Sequence, residues 1–370
     1  MSALLDLILD EIESRGPMPV ARYMELALYH PEHGYYASGQ TRTGRRGDYL
    51  TSPELDPAFG ALWADAFERL WTRMGRPPRF TVAEVGPGEG GFAAAVAGHV
   101  SGRFAEALQI RLIERIPALR RRQEERLAGD PRVSWADEPE PFDAGVVFVN
   151  EVLDNLPVHL VEGSRELLVG AEGDRLVETT GPYSSMVADL LRKHGVEVPT
   201  GTRVEVPVAA EGFVTRCATA PRSGAAVFVD YGHDWSGLLE RPAGTLVCYS
   251  ASGVDDAYLA QPGEKDITAH ANWSVVSAAA RAAGLYVGAR VRQHDLLQRF
   301  GIDRLRASIA EAGRAASASG EGRAAVRALS RRGALAALTD PGGLGGLEAV
   351  AAWTPDLGRD EAGPFEPASG

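Results

Sequence analysis

The sequence predicts an α/β protein whose core is a doubly wound, mostly parallel sheet. From residue 80 onward, short apolar segments alternate with helical segments, and this alternation is typical of parallel sheets covered on both faces. A glycine-rich turn follows the first apolar segment, and polar residues follow the fourth. The predicted strands are 80–85, 109–114, 132–137, 144–152 and 225–232.

Composition restricts the class of protein and its partners. The 370 residues are 45% hydrophobic and 24% charged, as in soluble globular proteins. A net charge of −12 gives no general attraction for nucleic acid, so we expect no nucleic-acid partner. The chain has no apolar run long enough to cross a bilayer and starts without signal-peptide features, which predicts a cytoplasmic bacterial protein without membrane insertion. Two cysteines and eight unclustered histidines predict no metal site and no disulfide.

The segment before the first strand predicts two helices and a long loop. Apolar residues at helical spacing predict a helix over 3–14, and a second helix is expected over 19–28. Residues 30–54 are rich in Gly, Pro, Ser and Thr, and long ordered loops often carry function. Asp56 then suits the N-cap of a helix with Pro57 as its first residue.

The stretch between the fourth and fifth strands interrupts the alternation. Short strand-like segments, a helix over 184–194 and a strand over 203–208 predict an insertion beside the sheet. Beyond residue 232, the segment 244–250 and a helix over 273–284 are expected to complete the sheet, followed by helical propensity over 303–335. The predicted segments are 1–57 (N-terminal helices and lid), 58–160 (first part of the sheet domain), 161–222 (insertion), 223–353 (rest of the sheet domain) and 354–370 (a disordered tail).

The glycine-rich turn is a candidate cofactor site. Glycine lets a ligand approach the backbone closely because no Cβ intrudes. The spacing of Gly86, Gly88 and Gly91 also fits the GxGxxG fingerprint, so NAD is one alternative, and a plain tight turn is another. The turn residues assigned to cofactor binding are Gly86, Pro87, Gly88 and Gly90.

Acids at the strand ends favour S-adenosyl-L-methionine (SAM) as the cofactor. Glu84 precedes the turn, where a carboxylate can hold the ammonium of the methionine moiety and disfavours a pyrophosphate. Glu114 ends the second strand, where an acid accepts hydrogen bonds from both ribose hydroxyls of SAM or NAD. Asp137 ends the third strand and is expected to meet the adenine amino group.

Polar residues that follow the fourth strand are the candidate catalytic group. Ligands of open α/β sheets bind outside the carboxyl ends of the strands, so Asn150, Glu151 and Asp154 are expected to face the transferred group. They supply acceptors that orient a nucleophilic nitrogen and take its proton, or that clamp a guanidinium. The alternative is a helix N-terminus capped by Asp154 or Asn155. Weaker candidates for substrate binding are His159, Tyr231, Asp266 and His270.

These segments together resemble the MidA family of SAM-dependent methyltransferases, which includes a mitochondrial complex I assembly factor described as a protein arginine methyltransferase. The resemblance covers roughly residues 17–300, in family order. It is carried by HPEHGYY (30–36), GDYLTSPE (47–54), AEVGPGEG (83–90), VNEVLDNLPVH (149–159), FVDYGH (228–233) and PGEKDITAH (262–270).

The resemblance implies a Rossmann-like class I methyltransferase sheet with a helical N-terminal lid and an α+β insertion between strands four and five. It also implies that 47–54 helps to close the cofactor pocket, with S-adenosyl-L-homocysteine as the product. The loop residues assigned to the cofactor on this basis are Gly47, Asp48, Tyr49, Thr51, Ser52 and Pro53.

The resemblance is weakest near the predicted acceptor side. Val152 and Leu153 replace two Phe of the family pattern, and Asn155 replaces Ala, so the substrate can differ from that of the mitochondrial relative. A protein arginine is the leading acceptor. The alternatives are a small-molecule methyltransferase of a biosynthetic pathway and a SAM-binding assembly factor that acts mainly by protein interaction, and a homodimer is left open.

Overall fold

A computed structural model describes residues 2–38, 51–359 and 363–365. An eight-stranded sheet forms its centre. Its six longer strands are β1 (Phe80–Val85), β2 (Leu108–Ile113), β3 (Val133–Ala136), β4 (Phe142–Asn150), β5 (Pro221–Asp230) and β6 (Glu348–Trp353). They are ordered β6-β5-β4-β1-β2-β3, and the five strands from β5 to β3 run parallel. The predicted α/β fold with a Rossmann-like sheet is therefore present.

The strand order reverses between β1 and β4, because β2 and β3 lie on one side of β1 while β4 and β5 lie on the other. In open α/β sheets, such a switch point leaves a crevice beyond the carboxyl ends of the two central strands. The fold therefore places the glycine turn after β1 beside the polar residues after β4.

The far edge of the sheet differs from the prediction. β6 runs antiparallel to β5, and the short strands Tyr286–Val287 and Val291–Arg292 pair with β6. The segment expected to complete the sheet is instead the middle strand of a separate small sheet, ordered Gly253–Asp255, Val247–Ser250 and Asp266–Thr268. Its apolar pattern predicted a strand correctly but carried no information about the partner strand.

Helices cover both faces of the main sheet. Because side chains alternate along a strand, Phe80 and Val82 of β1 join one core, and Ala83 and Val85 join the other. The first core is completed by the helices Ala58–Arg73, Gly91–His99, Gly102–Ala107 and Gln293–Phe300, and the second by Val208–Thr219 and Trp273–Ala282. The helix Pro117–Arg126 links β2 to β3, and the short helix Trp235–Leu239 follows β5.

The insertion and the N-terminal segment form one unit, although the predicted boundaries separate them. The strand Met18–Pro19 pairs with the insertion strand Arg165–Glu172. The helices Ala3–Arg15 and Val20–Tyr29 share an apolar core with this sheet. The other strands of the sheet are His159–Glu162, Arg175–Gly181 and Arg203–Val206, and the helix Ser185–His194 packs beside the last of them.

The C-terminal region contains a helical hairpin and an ordered end. The hairpin helices are Ile302–Ala318 and Gly322–Leu338. The prediction of a disordered tail is wrong for its described residues: Pro355–Leu357 is a 3₁₀ turn, and buried Phe365 packs edge-on against Trp63 and Phe67. None of the helices in the described part of the chain is long and apolar enough to cross a membrane.

Candidate active site

A cavity of about 200 Å³ lies beyond the carboxyl ends of β1, β2 and β4, at the switch point of the sheet. The glycine turn, Glu84 near the end of β1, Glu114 after β2 and the polar residues at the end of β4 all reach it. Its lining includes Glu84, Gly86, Pro87, Gly88, Glu114, Asn150, Glu151, Asn155, Thr51, Pro53, Tyr29, Tyr35 and Tyr36.

The glycine turn is shaped to leave room for a ligand. Gly86 has a φ of 65°, and a Cβ on it would lie 2.7 Å from a methyl of Val152, so the turn and the loop after β4 are in close contact. Gly88 has a φ of 52° and no atom within 4 Å of its missing Cβ. That open side faces the cavity, and a ligand can therefore reach the backbone there.

Glu84 is positioned to hold a cation. Its side chain is 5% exposed, and its Oε2 is buried without a hydrogen-bond partner among the described residues. Burial raises the pKa of Glu84 well above its usual range, opposed by a hydrogen bond from the backbone of Ala93. An ammonium in the cavity would satisfy the unpartnered oxygen and restore the charged form, so the methionine end of SAM fits this residue.

Glu114 is fixed in place by two donors at the end of β2. Its Oε1 accepts the backbone N–H of Ile116 at 2.8 Å, and its Oε2 accepts the side-chain amide of Gln123 at 3.1 Å. The same amide donates to the Gly88 carbonyl at 2.7 Å, which ties the acid to the glycine turn. Burial raises the pKa of Glu114 to about 7. Its remaining lone pairs suit the two ribose hydroxyls of a nucleoside.

Gln123 is a site residue that the sequence reasoning misses. It is fully buried on the helix Pro117–Arg126 and also accepts the Trp135 indole N–H at 3.1 Å. The signal available in the sequence is an uncharged glutamine in an otherwise strongly charged segment, nine residues after a strand-end acid.

Asp137 does not reach the cavity. Its side chain is 77% exposed and pairs with Arg120 at 3.3 Å. β3 is short, and it ends at Ala136 on the edge of the sheet, so the next residue turns outward to solvent. The structure thus does not support the expected contact of Asp137 with adenine.

Glu151 has an unusual backbone conformation at the end of β4. Its φ is 53°, a region that residues with a Cβ adopt rarely and at a cost. Its Oε1 accepts the Asn150 side-chain amide at 2.9 Å and the Ser52 backbone N–H at 3.1 Å. Burial raises the pKa of Glu151 to about 7. A carboxylate with this pKa at the mouth of the cavity suits proton transfer near neutral pH.

Two further acceptor atoms beside Glu151 are unsatisfied. Asn150 Oδ1 and Asp154 Oδ1 are buried without hydrogen-bond partners among the described residues. Burial raises the pKa of Asp154 well above its usual range, and the charges of Asp230, Asp266 and Glu151 raise it further. Asn150 lines the cavity and can offer its unpartnered oxygen to a bound donor, whereas Asp154 is buried outside the cavity lining.

Asp230, at the end of β5, holds the loop after β4. Its Oδ2 accepts the backbone N–H groups of Val152, Leu153 and Asp154 at 3.2, 2.9 and 3.2 Å. Its Oδ1 accepts the N–H of Tyr231 at 2.8 Å, and its side chain is fully buried. Burial and the nearby charge of Glu151 raise the pKa of Asp230, and the hydrogen bonds from these N–H groups oppose that rise. The loop that contains the candidate catalytic residues is thus anchored on one carboxyl.

Tyr231 and His270 lie next to each other, and neither is among the residues that line the cavity. Their rings stack with centroids 6.0 Å apart, and His270 is 5.1 Å from the ring of His233. His270 Nδ1 is buried without a partner among the described residues, and burial lowers the pKa of His270 to about 4. Burial raises the pKa of Tyr231, and the charges of Glu151 and Asp154 raise it further, so the ring is close to the acids.

The other two substrate candidates have different positions. His159 lies in the insertion sheet, where its Nδ1 contacts Glu166 at 2.6 Å, and it does not line the cavity. Asp266 does not line the cavity itself but binds two residues next to it. Its Oδ1 accepts hydrogen bonds from the Tyr36 hydroxyl at 3.0 Å and the Asn155 side-chain amide at 2.9 Å. Both of those neighbours line the cavity.

An aromatic wall from the N-terminal segment closes one side of the cavity, and the sequence reasoning does not assign it. Tyr29 stacks on Tyr36 at 5.6 Å, and the Tyr29 hydroxyl donates to the Asn155 carbonyl at 3.0 Å. Tyr35 packs edge-on against Tyr36. The only sequence signal is the HPEHGYY segment itself.

The loop assigned to the cofactor is described only at its end. Thr51 and Pro53 line the cavity, and Ser52 is buried, with its backbone bonded to Glu151. Gly47, Asp48 and Tyr49 lie outside the described residues. Within the described ranges, no three His, Cys, Asp or Glu side chains are arranged to hold a metal ion.

A Rossmann-like sheet with a glycine turn after β1, a buried acid after β2 and polar acceptors after β4 is the arrangement expected of a SAM-dependent methyltransferase. Residues 62–289 match a family described as S-adenosyl-L-methionine-dependent methyltransferases. The chain belongs to that family, which confirms the resemblance drawn from the motifs.

Relatives of known name cover most of the chain. The mitochondrial protein arginine methyltransferase NDUFAF7 of Mus musculus is 29% identical over 86% of this chain and 78% of its own length. The NDUFAF7 homolog of Drosophila melanogaster is 30% identical over 82% of this chain and 76% of its own.

A solved COG1565 superfamily structure from Burkholderia thailandensis, bound to S-adenosyl-homocysteine, is 30% identical. It has a TM-score of 0.82, with 95% of this chain and 92% of that chain covered. A second structure of a Burkholderia thailandensis protein of this superfamily is 28% identical and has a TM-score of 0.83. The match covers 100% of this chain and 95% of that chain. The cofactor is therefore SAM, the alternative that the strand-end acids favoured over NAD.

Proposed function

We propose that this methyltransferase transfers the methyl group of SAM to a side-chain nitrogen of a protein arginine. The observation that supports the proposal best is the acceptor pair that lines the cavity after β4: the Glu151 carboxyl and Asn150, whose Oδ1 has no hydrogen-bond partner among the described residues. A guanidinium offers five N–H donors and a positive charge but no acceptor, which is the complement of this surface.

Two carboxylates of this chain would hold the cofactor. Glu84 would accept the ammonium of the methionine moiety, and Glu114 the ribose hydroxyls, with Gln123 keeping Glu114 beside Gly88. Bound SAM supplies a methyl group on a positively charged sulfur, so the donor needs no activation by the enzyme.

The acceptor side has two tasks, which are alignment and proton removal. Methylation of a guanidinium nitrogen releases one proton per turnover. Glu151 would take this proton, because its raised pKa lies near neutral pH and its position after β4 faces the cavity. Asn150 would orient the guanidinium through its N–H groups, while Asp154 is buried outside the cavity lining and makes no direct contact there. The buried acids gain a counter-charge when the cation binds.

The relatives support the same acceptor, since the mouse and fly proteins are named protein arginine methyltransferases. The substitutions at 152, 153 and 155 fall in the loop anchored by Asp230, so the partner protein can differ while the acceptor group stays the same.

The test is labelling of a lysate of the source organism with tritiated SAM and the purified enzyme. Separation by size, followed by acid hydrolysis of the protein fraction, is expected to give labelled methylarginine. Enzyme carrying Glu151→Gln provides the background. Label confined to small molecules would contradict the arginine acceptor and favour a biosynthetic methyltransferase. Absence of label above background would favour an assembly factor.

A further inference from the structure

The helical hairpin 302–338, here called the arm, differs in charge from the rest of the protein. It contains seven arginines and three acids, within a chain whose net charge is −12. Its second helix, Gly322–Leu338, has four arginines and no acid. Buried residues of the arm lie mostly near its base, at Ile302, Ile309, Ala334, Leu335 and Leu338.

One side of the second arm helix is exposed and combines apolar and basic residues. Val326 and Leu329 are 67% and 66% exposed, which is unusual for large apolar side chains on a helix. Arg323 and Arg327 are exposed on the same side and form no ion pair with any described residue. We call Arg323, Val326, Arg327 and Leu329 the basic face.

The N-terminal helix Ala3–Arg15 has the opposite surface. Asp6, Asp10 and Glu13 recur at helical spacing on its exposed side, and none forms an ion pair with a described residue. Leu7 lies next to them and is 44% exposed. We call Asp6, Leu7, Asp10 and Glu13 the acidic face.

The two faces are complementary in both charge and apolar content. Asp6 and Asp10 have the same four-residue spacing as Arg323 and Arg327, so both pairs of opposite charges can meet along two helices packed side by side. Leu7 then supplies the apolar surface that Val326 and Leu329 require.

The faces belong to different regions of the fold. The N-terminal helix packs on the insertion sheet, while the arm packs through Arg331 on Asp56 beside the core helix Ala58–Arg73. We propose that the basic face of one molecule docks on the acidic face of a second copy of this chain, forming a homodimer.

The interaction is expected to be modest and sensitive to salt. Exposed ion pairs contribute little individually, and they are screened over distances of about 10 Å at 0.1 M ionic strength. The dimer should therefore form at low salt and high protein concentration, and should dissociate when the salt concentration is raised about ten-fold.

The experiment is sedimentation velocity of the full chain, at concentrations up to about 100 μM and at low and high salt. Wild type is expected to dimerise at low salt. Arg323→Glu with Arg327→Glu should lower the association constant at least about ten-fold, and so should Asp6→Arg with Asp10→Arg. Mixing these two variants should restore association, because the opposite charges face each other again.

A matched control separates the specific contact from net charge. Arg103→Glu with Arg121→Glu makes the same charge change at two exposed arginines that form no ion pair with described residues. This variant should dimerise like wild type, and thermal melting should show that every variant folds. A wild type that stays monomeric would overturn the proposal. So would dimerisation that charge reversal on the two faces leaves unchanged, or a mixture of the two variants that stays monomeric.

Discussion

Asp230 shows how a single residue can hold the loop that contains the candidate catalytic residues. One carboxyl accepts four backbone N–H groups, three of them from the residues directly after Glu151. Glu151 itself has a φ of 53°, a conformation that persists only when the surroundings impose it. The Asp230 anchor and the bond from the Glu151 N–H to the Val229 carbonyl, 2.8 Å long, together impose it.

Asp230→Asn is expected to lower turnover far more than SAM affinity. An amide replaces one acceptor oxygen with a donor that opposes the N–H groups of the loop, at a cost of about 1–3 kcal/mol in stability. Denaturant unfolding checks the stability, and calorimetry with S-adenosyl-L-homocysteine checks the cofactor site. Asp234→Asn is a control, since Asp234 caps a nearby helix away from the cavity. A variant with full turnover would show that the loop keeps its shape without this anchor.

Glu114 gives SAM affinity a pH dependence of defined sign. Its pKa is about 7, and only the deprotonated form accepts both ribose hydrogen bonds. Affinity should therefore fall as the pH drops below about 7, and Glu114→Gln should bind weakly at every pH. Titration calorimetry from about pH 5.5 to 8.5 would measure this, and equal slopes for the two proteins would contradict it.

Glu114 should also make the stability of the free enzyme depend on pH, but here a rise in pH lowers the stability whereas it raises SAM affinity. Its pKa is raised on folding, so the folded state binds more protons than the unfolded state between about pH 4.5 and 7. The contribution of Glu114 to the free energy of unfolding is thus greatest at low pH and decreases as the pH rises through this window. Glu114→Gln should remove this decrease, and unfolding curves at several pH values would show it.

The sequence predicts the site residues that lie at strand ends and misses those on neighbouring helices. Parallel strands bring their carboxyl ends to one edge, so Glu84, Glu114 and Glu151 are predictable from three local patterns. Gln123 and Tyr29 reach the cavity from helices, and only tertiary packing brings them there. Asp137 shows the limit of the strand-end rule at an edge strand.

At the scale of elements, the short helix Ser52–Leu55 joins the cofactor side to the acceptor side. Ser52 donates to Glu151, and Pro53 lines the cavity. Its four residues make few internal helix bonds, so without ligand the segment should open readily. Binding of S-adenosyl-L-homocysteine should therefore slow hydrogen exchange at 51–55. The exposed helix Ser185–His194 serves as the control segment, and unchanged exchange at 51–55 would remove this helix from the site.

Individual strands were easier to predict from the sequence than the strands with which they pair. The segment 244–250 is a strand, but its apolar pattern could not distinguish the main sheet from the small sheet with Asp266–Thr268. The helix Val208–Thr219 is hidden in the sequence because small and polar residues separate its few large apolar side chains, and Pro207 at its start resembles the end of a strand. The last strand, Glu348–Trp353, follows a glycine-rich segment that lacks regular periodicity.

At the scale of the whole molecule, Phe365 near the C-terminus packs into the first of the two cores that flank the main sheet. The Phe365 ring is 5.9 Å from Trp63 and 6.3 Å from Phe67. Phe365→Ala should lower the free energy of unfolding by about 3 kcal/mol, because a buried aromatic ring is lost and a cavity remains. Leu329→Ala removes an exposed side chain and should change it by less than about 0.5 kcal/mol. An equally small change in the free energy of unfolding for Phe365→Ala would show that the Phe365 side chain contributes nothing to this core.

The central claim is that Glu151 acts on the acceptor and not on the cofactor. Single-turnover methylation by wild type and Glu151→Gln, combined with S-adenosyl-L-homocysteine affinities of both proteins, tests it most directly. Loss of the base should reduce the rate by about 10²–10⁴, while cofactor affinity stays within a few-fold. We predict this separation because Glu151 lies after β4, whereas the proposed ribose and ammonium ligands, Glu114 and Glu84, lie at the ends of β2 and β1. Methylation at the wild-type rate by Glu151→Gln, or loss of cofactor affinity in proportion to rate, would contradict it.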